Sequence, residues 1–316
     1  MNISRITAAT WEKINRIFVR IAAQNGIEAG RVTRTDSTVM DANIHEPTDN
    51  SFLWDSVRTM NRHILKGQND LGCSLVLHDH SRASRKLSYE IEKQGSKSSK
   101  GKNAYKKLLK IIGKTMGYLV SGLISICPTT NPDLSAWLEK GWELTSLVDR
   151  VIDQTKRRVL QGEKVPACEK ILSIFEPHAD IIVKGGRKVQ YGHKLNVTTG
   201  ASGLIIDMMV EKGNLTDSTT VLPALERQVE IYGCPPRQTA YDGGYASKNN
   251  LRMVKELGGK DVMFHKRKGL KVAAITGSRW VFKKLRDFRG GVEGNISTLK
   301  RKYGWYICTW KGWEKF

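Results

Sequence analysis

The sequence is poor in the features that mark several common protein classes. Its five cysteines, Cys73, Cys127, Cys168, Cys234 and Cys308, are scattered, odd in number and never in a C-x-x-C pair. That excludes a disulfide framework or a thiolate zinc site and fits a reducing cytoplasm. His178, His193 and His265 show no HxxxH or HExxH spacing, which excludes the familiar histidine zinc motifs. No G-x-x-x-x-G-K-[ST] run is present, so there is no P-loop. The opening MNISRITAATWEKINRIF has no basic-then-apolar signal pattern. The one long uncharged stretch, Thr115 to Pro132, contains Thr, Ser, Asn and two prolines. It is too polar for a bilayer span of about 20 apolar residues and reads as a buried helix, Met116 to Ile126, stopped by Pro128. No fixed-period repeat points to a solenoid.

Acidic residues are also in short supply. Asp and Glu number 31 against 52 Lys and Arg, a net charge of +21 over 316 residues. A surface so positive attracts a polyanion, most often nucleic acid. Hydrophobic residues make up 40%, enough for a sizeable core and too many for a disordered chain. The length implies about two domains, or one interrupted by an insertion.

Residues 1–30 read as a short helical piece, with Trp11, Ile14, Ile17, Phe18 and Ile21 at helical spacing. Arg31 to Met40, rich in Val and Thr, reads as a strand. Residues 51–170 read as helix after helix. Within them Lys93 to Lys114 holds eight lysines and no acid, and QGSKSSKGKN reads as a mobile basic loop. From Ile171 the texture turns to strands: ILSIFEP, ADIIVKG, RKVQYGHKLNVTT and GLIIDMMVE, then strand–helix–strand units. This order is the mixed α/β one that an RNase H-like core requires. The core would comprise residues 31–50 and 171–316, with 51–170 as a helical insertion after the first strand.

Three acids stand out by context. Asp36 sits in a strand, where Asp is depleted. Asp242 lies at the carboxyl end of a strand, where open α/β sheets place their ligands. Glu293 lies on a helix with Arg289 four residues before it and Lys300 seven after, all on one stripe. Each also has a plain alternative: a turn or cap for Asp36, a turn before Gly243–Gly244 for Asp242, a surface ion pair for Glu293. Together, two or three convergent carboxylates are what hard divalent cations need. Two such ions can activate a nucleophile and stabilise the leaving oxygen in phosphodiester cleavage. From His265 to Arg289 the chain adds Lys266, Arg267, Lys268 and six further cations around Trp280 and Phe282, a pattern suited to gripping a DNA backbone. His193 and Lys194, on a strand, are candidates to face a phosphate. Gly290, Gly291 and Gly294 weaken their helix and suggest a close approach there.

The blocks TDSTVMDANIHEPTDNSFLWDSVR, KVQYGHKLNVTT, EKGNLTDSTTVLPALERQVEIYG, YDGGYASKNNL and FRGGVEGNISTLKRKYGW occur in this order along nearly the whole chain. They resemble DDE transposases of bacterial insertion sequences, most nearly the ISNCY type. The resemblance implies that Asp36, Asp242 and Glu293 are the catalytic and metal-binding acids. It implies two Mg²⁺ ions, with Mn²⁺ as a substitute, and DNA contacts from Arg289 and Lys300. Arg289, Glu293 and Lys300 also match the related signature Tyr-x₂-Arg-x₃-Glu-x₆-Lys, with Arg286 where the tyrosine belongs. The implied reaction is DNA strand cleavage and strand transfer. The implied partners are double-stranded DNA, as terminal inverted repeats and target, and a second copy of the chain; the setting is the bacterial cytoplasm, at the nucleoid. Relatives extend further at both ends, so the sequence reads as trimmed. The alternative is therefore a non-catalytic DNA-binding remnant of a transposase.

Overall fold

The computed structural model describes residues 6–183, 188–266 and 268–316. In chain order the elements are α1 (Ala8–Gln24), β1 (Val32–Ala42), α2 (Asp49–Leu71), α3 (Ser81–Gln94), α4 (Ser99–Ile126), α5 (Pro132–Thr155), β2 (Asp180–Ile182), β3 (Gln190–Gly200), β4 (Ile205–Val210), α6 (Val221–Tyr232), β5 (Gln238–Tyr241), α7 (Lys248–Glu256), β6 (Asp261–Phe264), α8 (Val272–Ile275), α9 (Arg279–Tyr303) and β7 (Ile307–Cys308). They form two compact units, one of Met1–Asn43 with Asp180–Phe316, the other of Ile44–Ala179.

The first unit is built on β1, whose Val and Thr residues suit a strand buried on both faces. One edge of β1 pairs antiparallel with β3 from Thr33 to Asp41. The other pairs parallel with β5 from Val32 to Thr35 and with β7 at Asp41 and Ala42. β4 and β2 lie antiparallel on the outer edge of β3, and β6 extends the sheet in parallel beyond β5. The core order is thus β4-β3-β1-β5-β6, three antiparallel strands followed by two parallel ones. This is a mixed α/β, RNase H-like sheet with its helical segment inserted after the first strand.

The period-2 alternation of strands divides β5 and β6 between two faces. Ala240 and Met263 pack against Leu285, Val281 and Phe288 of α9. Tyr241, Val262 and Phe264 turn the other way, onto Val221 and Leu225 of α6 and Val254 of α7. Helix α1 also belongs to this unit, but not through its expected apolar stripe. Val19 and Ala22 are its buried residues, while Ile17 and Phe18 are 56% and 66% exposed. Val19 packs with Ile206 and Ile231, and polar contacts add to this. Asn15 Nδ2 donates to Ile206 O at 3.1 Å, and Arg16 bridges Glu12 and Glu230 at 2.9 and 2.7 Å.

In the second unit α2 to α5 enclose Phe52, Leu53, Met60, Leu108, Ile112, Leu119, Leu123, Trp137 and Val148. Helix α4 is long and apolar enough to cross a membrane by length and composition, yet its Leu108, Ile112, Leu119 and Leu123 are buried among the other helices. The basic loop expected over QGSKSSKGKN is shorter than the sequence suggests. Ser98 caps α4 by accepting from Gly101 N at 2.9 Å, and the helix starts at Ser99. Most of the lysines are therefore helical. The strand expected at ILSIFEP does not form either. Instead the Gln154 side chain clamps Ile171, accepting from its N–H at 2.7 Å and donating to its carbonyl at 3.3 Å. That amide supplies the partners a strand neighbour would have given.

Candidate active site

The site grows from the register of β1 and β5. Thr35 stands opposite Tyr241 in the parallel pair, so the next residues, Asp36 and Asp242, come side by side at the carboxyl end of β5. On β1, Arg34 and Asp36 share one face, and α9 crosses it. Arg34 Nη1 donates to Phe288 O at 2.6 Å, Nε donates to Thr199 Oγ1 at 2.9 Å, and the guanidinium lies 4.4 Å from the Phe288 ring centre. This contact fixes the height of α9 and brings Arg289 and Glu293 over the two aspartates.

The three acids meet at a single nitrogen. Arg289 Nη2 is 3.2 Å from Asp36 Oδ2, 3.5 Å from Asp242 Oδ1 and 3.0 Å from Glu293 Oε1. Asp36 is held from the other side, since its Oδ1 accepts the Ser37 N–H at 2.8 Å. The cleft above them, about 630 Å³, is lined by these residues with Ser37, Ile296, Ser297, Lys300, Arg301 and Tyr306. Lys300 Nζ lies 5.8 Å from the Tyr306 ring centre. Ser297, Lys300 and Arg301 continue the α9 stripe that carries Arg289 and Glu293. The helical period alone could have added Ser297 and Arg301 to the candidates. Tyr306 lies beyond the helix and had no such signal.

The donor chemistry suits a hard divalent cation: three carboxylates from three elements, one strongly exposed, around one point. A guanidinium nitrogen now takes the role of the cation at that point. As the side chains stand, no three His, Cys, Asp or Glu groups among the described residues are close enough to hold a metal. Admitting an ion requires Arg289 to move aside.

The other candidates divide. Lys266 and Lys268 are exposed beyond β6, and Arg267 lies outside the described residues. His193 and Lys194 do not face a solvent-borne phosphate. His193 is 1% exposed, with Nδ1 3.1 Å from Asp180 and its ring edge-on to Trp313 and Phe316. Lys194 is 5% exposed, and its ammonium bonds Leu215 O, Asp217 Oδ1 at 2.9 Å and Glu211 Oε2 at 3.5 Å. Alternation on a strand usually turns one of two neighbours outward. Here β3 is covered on both sides, so both are inside. Asp217 belongs to this network and also accepts from Ser37 Oγ at 3.0 Å.

No curated protein and no solved structure matches the chain. The sequence model of the transposase DDE domain matches residues 151–316, just over half of it. The match contains Asp242, Arg289, Glu293 and Lys300 but begins after Asp36. The chain belongs to the DDE transposase family.

Proposed function

We propose that the chain carries out Mg²⁺-dependent cleavage of DNA at the ends of an ISNCY-type insertion sequence, then strand transfer of the freed 3′-hydroxyl into target DNA. The observation that carries this reading is the approach of Asp36, Asp242 and Glu293 to one Arg289 nitrogen, within 3.5 Å in each case. The three carboxylates would hold the divalent ions, which supply an activated water or hydroxyl and a stabilised leaving oxygen. Arg289, once displaced, and Lys300 would pair with phosphate oxygens and limit repulsion among the acids. Lys266 and Lys268 would follow the backbone away from the cleft. Two copies would act together, one on each element end, in the bacterial cytoplasm.

Asp242→Asn keeps the shape of the side chain and removes a charged metal ligand. It is expected to reduce Mg²⁺-dependent strand cleavage of an oligonucleotide bearing the element end by more than about 100-fold, since each lost ligand is worth several kcal/mol in the transition state. Binding of non-specific duplex, read by gel shift, should stay within a few-fold. Undiminished cleavage by this variant sinks the assignment. A second reading, a DNA-binding remnant without catalysis, is favoured by the Arg289 side chain filling the space an ion needs. Wild-type protein that binds end DNA but shows no cleavage with either Mg²⁺ or Mn²⁺ would support it.

A further inference from the structure

The helical unit has a groove that the transposition chemistry does not use. It runs between α2 and α5 and measures about 910 Å³. Arg62 and Lys66 stand on the α2 side, one helical turn apart. Lys140 and Arg150 stand on the α5 side, ten residues apart, or about 15 Å along the axis. All four are exposed and none has an ion-pair partner among the described residues. Glu143 is the one acid on the lining.

The floor differs from the rims. Leu144, Leu147 and Ile174 lie there with Phe175, whose side chain remains 37% exposed. The Arg62 and Arg58 guanidinium carbons lie 6.0 and 5.7 Å from the Phe175 ring centre. The Thr59 hydroxyl, also on the lining, is buried and has no hydrogen-bond partner among the described residues. His63 is fixed beneath by stacking on Trp137 at 4.7 Å and by a hydrogen bond from Nε2 to the Trp137 carbonyl at 3.1 Å.

We infer that this groove binds a single DNA strand with unpaired bases, phosphates along the cationic rims and a base against Phe175 and Arg62. Three features select this ligand. Cations on both sides of a trough suit a polyanion that lies in it rather than one resting on top. Packed helices have axes only about 8–10 Å apart, so the trough between them is narrower than a duplex. An apolar floor with an accessible ring and a nearby guanidinium plane offers an unpaired base a stacking surface, worth about 1–3 kcal/mol per base in such sites. The rim of about 15 Å is long enough for a short run of an extended strand. The inference does not depend on the carboxylate cleft.

The test uses the full chain and a fluorescein-labelled oligothymidine, with anisotropy followed across salt concentrations. Arg62→Ala/Lys140→Ala/Arg150→Ala should weaken single-strand binding at least tenfold near 0.1 M salt. It should also reduce the log–log salt slope by about 2, because each lost phosphate contact removes about 0.7. Phe175→Ala should weaken binding about fivefold or more with the slope unchanged. Lys140→Arg/Arg150→Lys, which keeps the charge and leaves Arg62 in place, should bind within about threefold of wild type and shows that the fold tolerates change at these positions. Photocrosslinking of a bromodeoxyuridine oligonucleotide should map to Ile174–Pro177 or to the facing turns of α2 and α5. Crosslinks confined to α9, unchanged affinity in the triple variant, or an equal loss of duplex and single-strand binding would each overturn the inference. So would competition by polyglutamate as effective as that by oligothymidine, which would assign the groove to an acidic polypeptide. Loss of cleavage in Asp242→Asn leaves every one of these readings intact.

Discussion

Glu211 is a carboxyl that the fold holds almost wholly out of water, 5% exposed beside Asn196 and Lys194. Burial pushes it above its ordinary value of 4.5, against the pull of Lys194, and the negative Asp217 adds to the rise. A group raised on folding takes up a proton more readily in the folded state. Its contribution to stability is therefore complete below the unfolded value and is lost as pH rises through the folded one. Glu211→Gln should flatten that part of the stability curve above about pH 4.5, read as urea midpoints at a series of pH values. A wild-type profile that stays parallel to the variant's would refute the linkage. Arg289 poses the opposite case, one cation among three acids. Arg289→Gln leaves the carboxylates facing one another without it. The expected result is a lower Tm in EDTA and a larger Mg²⁺-induced rise than in the wild type, if those acids are the metal ligands. Equal Mg²⁺ shifts in the two proteins would mean that the guanidinium does not compete with the ion.

At the scale of elements, the glycines of α9 separate close approach from open surface. A Cβ on Gly291 would lie 1.9 Å from Arg34 Nη1, so the bare backbone there is what lets Arg34 reach the Phe288 carbonyl. Gly290 has nothing within 4 Å of the same construction. Gly291→Ala should thus destabilise the first unit by about 1–3 kcal/mol through overpacking. Gly290→Ala should stabilise it by up to about 1 kcal/mol through helix propensity. Opposite shifts in thermal midpoint are the check, and a loss of similar size in both would show that Arg34 does not set the packing of α9. The sequence pattern suggested a close approach at Gly290, Gly291 and Gly294; the buried Arg34 makes one at Gly291, whereas Gly290 and Gly294 face open space. The same distinction governs how much of the molecule was readable. The α9 stripe of Arg289, Glu293 and Lys300 was legible because helical periodicity is local. The fates of His193, Lys194 and Ile171 to Pro177 were not, because each depends on a distant partner. Those partners are Asp180, Asp217 and Gln154, and no spacing rule announces them.

At the scale of the whole molecule, the candidate site depends on joining pieces that lie far apart in sequence. Asp36 comes from β1, and β1 is the central strand: β3 covers one edge, β5 and β7 the other. The 136 residues from Ile44 to Ala179 then intervene, with a core of their own, before β2 and β3 return to the sheet. The family-matched stretch, residues 151–316, therefore contains every strand of the sheet except its middle one. Without β1, β3 would expose a long unpaired edge and β5 a short one, and the α9 face would lose both Arg34 and Asp36. Residues 151–316 expressed alone should accordingly fail to give a cooperative thermal transition or dispersed amide resonances. A chain in which residues 44–179 are replaced by a short Gly/Ser linker retains the seven strands found among the described residues and should recover both. Native-like folding of 151–316 alone would show that β1 is dispensable to the sheet, and would remove the structural basis for counting Asp36 with Asp242 and Glu293.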